Sequence, residues 1–100
     1  MSNLSLPIHN NYELRSMIIQ IIYEQKDESF TLDSIVSTVS GRILPSHFKE
    51  QGYCPLSPTN EAYMITPNRV YIKSCVESII TDFIKTGQVA QINNFYYVLK

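Results

Sequence analysis

With 100 residues, 44% of them hydrophobic and 17% charged, the chain is long enough for one core and too apolar for a disordered tract. Its net charge of −1 is not that of a strongly basic nucleic-acid binder, and its two cysteines do not make a disulfide framework. Its apolar runs are too short to span a bilayer, and the opening MSNLSLPIHNN lacks a basic segment followed by an apolar core. The expectation is a protein of the reducing cytoplasm, with no membrane association.

Residues 1–10 read as an arm. Leu4, Leu6 and Ile8 alternate, as in a short extended segment, while Pro7 restricts it to a sheet edge; a loose terminus is the other reading. Asn10 or Asn11 then caps a first helix running to about Gln25, with Leu14, Met17, Ile18, Ile21 and Ile22 as its buried stripe. Tyr12, Ile19 and Tyr23 form a second apolar stripe on the opposite side. Either the arm or the middle of the chain covers it, or it is a dimer or partner interface.

Ser29-Phe30 fits a very short strand. Thr31 caps a second helix carrying Leu32, Ile35, Val36 and Val39 on one face, and Gly41 is expected to stop it. Residues 42–65 contain Pro45, Pro55 and Pro58 with Gly52, which predicts an irregular excursion holding one or two short helical turns. Thr66-Pro67 then reads as a helix start, with Pro67 at the first helical position. Ile72, Cys75, Val76, Ile79, Ile80, Phe83 and Ile84 follow at the spacing of one buried face, and Gly87 ends the helix after Lys85. Two strands around Asn93-Asn94 complete the chain as a hairpin.

The chemistry-bearing residues point away from catalysis. His47 and Cys54 stand without a second pair at zinc spacing, and Cys75 falls on a core stripe. There is no Gly-rich phosphate loop and no Ser/His/Asp order. No enzyme, metal or cofactor is expected. Charge is uneven: Arg69, Lys73, Lys85 and Lys100 against Glu77 and Asp82 leave residues 66–100 at +2 and the rest at −3. Seven Tyr and four Phe offer rings for base stacking or a protein interface, with Phe95 and Tyr96 nearest the hairpin tip.

The order helix, short strand, helix, long helix, hairpin resembles the winged-helix variant of the helix-turn-helix. Ile80-x-x-Phe83-x-x-x-Gly87-x-Val89, followed by Tyr97-x-Leu99, is similar to the end of a recognition helix, its glycine and the two wing strands. The resemblance covers residues 11–40 and 66–100. It implies an α+β, mostly helical fold: one winged-helix domain over 11–100, with three main helices, a C-terminal β-hairpin and an extended helix 2–helix 3 connection at 42–65. It places Tyr97 inward and Tyr96 outward. It also implies a transcriptional regulator, or a phage- or plasmid-type accessory factor, that binds duplex DNA through the third helix. Arg69, Tyr71, Lys73 and Ser74 would be the contact set. With so few cations, specific binding would need a homodimer reading two half-sites. Two departures stand out: the long helix 2–helix 3 connection, and a wing, Gln91 to Phe95, without Arg or Lys. The alternative is a winged-helix protein–protein interaction module that uses the first helix or residues 42–65. An uninterrupted positive face would favour DNA; interruption by Glu77, Asp82 and the acids of the 42–65 excursion would favour the module.

Overall fold

The computed structural model describes residues 5–48 and 66–99, and in them every α-helix starts at a side chain that accepts a backbone N–H. Asn10 Oδ1 accepts the Glu13 N–H at 3.0 Å to open α1 (Asn11–Glu24). Thr31 and Ser34 cap each other's amides at 3.1 Å to open α2 (Leu32–Arg42), a capping box with Ser in place of the usual acid. The third cap corrects the sequence expectation. α3 (Arg69–Lys85) starts from Asn68, whose Oδ1 accepts the Tyr71 N–H at 2.9 Å, not from Thr66, and Pro67 lies buried just ahead of it. Asn outranks Thr at this position, so the stronger cap two residues on prevails.

Helix ends follow equally local rules. Gly87 takes φ +80, the Gln88 N–H donates to Phe83 O at 2.8 Å, and the Gly87 N–H donates to Ile84 O at 3.2 Å. That is a Schellman motif, and it turns the chain out of α3 into β2 (Val89–Ile92). Gly41 does not stop α2, which continues through Arg42. The arm supplies the stop instead. Leu6 N–H donates to Arg42 O at 2.8 Å, the Leu44 N–H donates to Leu6 O at 2.7 Å, and Leu6 pairs in parallel with Ile43. The arm is therefore extended and anchored by buried Ile8, as its alternation predicted; Leu4 lies outside the described residues. A single 3-10 turn, Pro45–His47, follows, and the remainder of the expected excursion is outside the described residues.

The three helices enclose Leu14, Ile18, Ile21, Ile22, Ile35, Val39, Ile72, Val76 and Ile79, all essentially inaccessible to water. Ile84, expected in the same stripe, is exposed, because it falls outside the arc of α3 that meets the other helices. β1 (Ser29–Phe30), β3 (Phe95–Val98) and β2 form one antiparallel sheet in the order β1-β3-β2. The fold is thus α+β and mostly helical, three helices with a small sheet. Asn93, at φ 59, makes the tight turn between Ile92 and Phe95. Register corrects a further expectation. Phe30 lies opposite Tyr96 and stacks on it at 5.7 Å between ring centroids, and Tyr96 and Val98 pack on the core. Tyr96 is therefore the inward ring and Tyr97 the outward one, since neighbours in a strand face opposite ways.

Two glycines should respond with opposite signs. Gly87→Ala forces a Cβ into a left-handed conformation and should cost about 1–2 kcal/mol. Gly41→Ala, in a helix with nothing within 4 Å of the new Cβ, should stabilise by about 0.5 kcal/mol in urea denaturation. A third test concerns the Arg42 guanidinium, which donates to both Glu24 oxygens, at 2.8 and 3.0 Å, and holds that carboxyl below its ordinary range. A depressed carboxylate contributes above its unfolded pKa and loses that contribution as pH falls through the folded one. Both side chains are over a third exposed, so Glu24→Gln should cost under ~1 kcal/mol at neutral pH, with the difference vanishing on acidification.

Candidate nucleic-acid interface

α3 divides cleanly into two faces. Ile72, Cys75, Val76, Ile79 and Ile80 are buried, while Arg69, Val70, Lys73, Ser74, Glu77, Ser78 and Thr81 are exposed. The cap at Asn68 sets this phase, because it fixes which residues of the first turn point out. Arg69, Lys73 and Ser74 of the expected contact set lie together on the outer side of the first two turns. Tyr71 does not. It is 5% exposed, and its hydroxyl donates to Asn11 Oδ1, itself buried at the start of α1. Its phenol is part of the core, which removes it from any contact set. Val70, 76% exposed between Arg69 and Lys73, takes its place on the surface.

Two open clefts flank this surface. Asp33, Val36 and Ser37 of α2 line one with Arg69, Val70 and Lys73. Thr31, Leu32 and Asp33 line the other with Lys73 and with Gln91, Asn94 and Tyr96 of the hairpin. Lys73 thus stands between the α2 N-terminus and the hairpin tip. The amide side chains of Gln91 and Asn94 are functional candidates that sequence reasoning missed. The correct β2–β3 register would have found Gln91, because it pairs with inward-facing Tyr96.

The electrostatics are mixed. The α3 N-terminus adds its partial positive charge to Arg69 and Lys73. Asp33 lies in both clefts, and Glu77 is exposed one turn beyond Lys73. The ion pairs among the described residues are His9–Glu13 and Arg42–Glu24, so Lys73 and Glu77 do not neutralise each other by direct contact. Arg69 and Lys73 stand in the first two turns, and Lys85 is a third exposed cation at the far end of the helix.

The second stripe of α1 does not form an exposed face. Ile19 packs against the core. Tyr23 donates its hydroxyl to Gln88 Oε1 at 2.8 Å and tilts its ring against Phe83 at 5.8 Å. The last turns of α3 and Gln88 just beyond the helix cover Tyr23. Tyr12 alone of the three stands out, at 63% exposure, beside a shallow groove with Leu6, Ile8 and Met17. Among the described residues no cluster of three or more His, Cys, Asp or Glu could hold a metal, and no helix is long and apolar enough to cross a membrane. Cys54 lies outside them.

No protein-family model, curated protein or solved structure matches this chain.

The division of α3 into two faces makes a stability prediction. Tyr71→Phe, which removes the buried hydroxyl from Asn11, should lower unfolding free energy by about 1 kcal/mol. Lys73→Ala, two residues away on the outer face, should change it by less than about 0.5 kcal/mol in the same urea titration.

Proposed function

We propose that this protein is a non-enzymatic, cofactor-free winged-helix protein that binds duplex DNA as a homodimer in the cytoplasm. It would serve as a transcriptional regulator or a phage- or plasmid-type accessory factor. The observation that carries the reading is the common outward placement of Arg69, Val70, Lys73 and Ser74 on the first two turns of α3, beside the hairpin tip. Recognition helices make base contacts from their N-terminal residues, which is where the cations of this helix are concentrated. Support also comes from the sheet order β1-β3-β2 behind three helices, which suits a wing placed alongside the third helix.

Each residue has a role the groove can use. Arg69 offers a planar fork to guanine or to a phosphate, and Lys73 a point charge to the backbone. Ser74 is small enough to allow close approach. Val70 suits a thymine methyl. Gln91 and Asn94 donate uncharged hydrogen bonds to phosphate or sugar, which is all a wing without Arg or Lys can offer. Few cations mean few released counterions, so one copy binds weakly and two copies are needed.

A second reading has its own observation. Glu77 and Asp33 bound the cationic patch on two sides, so the positive face is not continuous. That favours an interaction module whose partner is a protein.

Titration of a labelled random duplex at two salt concentrations separates the two. The DNA reading expects binding that weakens steeply with salt. Lys73→Ala should reduce the log–log salt slope by about 1. Glu77→Gln should tighten binding, because it removes a charge facing phosphate. No binding at low salt would sink the DNA reading and leave the module.

A further inference from the structure

The outer face of the hairpin is apolar where water should meet polar side chains. Pairing sets Ala90 opposite Tyr97 and Ile92 opposite Phe95. Cross-strand partners share a face, and Tyr96, Val98 and Val89 occupy the inner one. Ala90, Ile92, Phe95 and Tyr97 therefore look outward, and Leu99 continues the row, its amide donating to Gln88 O at 2.7 Å. Ile92, Phe95, Tyr97 and Leu99 are 37–58% exposed. An antiparallel sheet with one wet face normally alternates apolar inside and polar outside. A contiguous apolar patch on that wet face marks an association site.

We infer that this sheet face is the interface between two copies of the chain. Area and charge both argue for a second copy. A fully exposed residue of this size presents roughly 150–250 Å², so four at about half exposure offer on the order of 400 Å². A standard interface buries about 800 Å² per partner, a little over half of it non-polar. The patch is thus close to the apolar part of a standard dimer interface. None of its residues is charged, so it offers nothing to select a charged partner. A two-fold contact sets the same neutral patch against itself without like-charge repulsion. The sheet packs its inner face on the helices, so back-to-back pairing leaves the outer side of α3 open in both copies. The inference also moves the dimer contact away from α1, where Phe83 and Gln88 already engage Tyr23 and Ile19 packs on the core.

Sedimentation velocity over a micromolar concentration series tests it. The wild-type chain should dimerise. Ile92→Lys on β2 and Leu99→Lys just past β3, both exposed in the single copy, should each weaken dimerisation by about tenfold or more with an unchanged helical circular dichroism spectrum. Tyr12→Asp on α1 should stay dimeric. A wild type that is monomeric throughout overturns the inference. So does a dimer dissociation constant left unchanged in either folded sheet variant, or dimerisation lost in Tyr12→Asp alone. The surface is argued from the sheet and not from DNA binding. A monomer that binds duplex would overturn this inference and the homodimer part of the proposed function and leave only DNA contact by α3 standing, and a sheet-face dimer that ignores duplex would do the reverse.

Discussion

Burial of one face of α3 against α1 and α2 is the constraint on which everything else depends. Ile72, Cys75, Val76 and Ile79 are fully or almost fully removed from water. Each such aliphatic side chain stabilises the fold by about 1.5–3 kcal/mol. The Tyr71 hydroxyl bonded to Asn11 adds direction to that contact, because a buried hydrogen bond tolerates little rotation of either helix. Once the inner face is set, the outer one follows from 3.6 residues per turn. Arg69, Lys73 and Ser74 project from the surface because residues near them in sequence are needed inside.

The same helix organises the sheet. Its Schellman end at Gly87 aims the chain so that Val89 returns to the core. From there the turn at Asn93 sets which way every β3 side chain points. A shift of one residue would exchange the two faces entirely. Tyr96 would then be in solvent and Tyr97 under the sheet. The aromatic stack of Phe30 on Tyr96 holds the observed register, and β1 is long enough to do little else. Hairpin tip, α2 N-terminus and Lys73 meet as a consequence of these two geometric choices.

Much of this was legible in the residues. The α3 stripe, the Thr31 cap, the glycine at 87 and the turn at 93–94 are local patterns with local causes. What escaped depends on partners distant in sequence. Tyr71 sits near the edge of its helical wheel, and its burial depends on contacts such as that with Asn11 on another helix. Tyr23 reads as surface until Gln88 and Phe83 come to meet it. Gly41 reads as a stop unless the arm is known to take Arg42 O. Resemblance to the winged helix places Tyr97 inward, and the pairing of Tyr96 with Phe30 reverses that. The contact set lost Tyr71 and gained the neighbouring Val70 for the same reason. Residues 49–65 lie outside the described part of the chain.

The functional reading rests on a small cationic surface bounded by acids. Its affinity must come from placement more than from charge, since two cations on two helical turns release few counterions. A duplex titration followed by two-dimensional NMR of the amide groups asks directly where contact occurs. The account predicts that, at low salt, shifts concentrate at residues 69–74 and at Gln91 and Asn94, and disappear when salt is raised. Shifts confined to the Tyr12 side of α1, or none at any salt concentration, would contradict it.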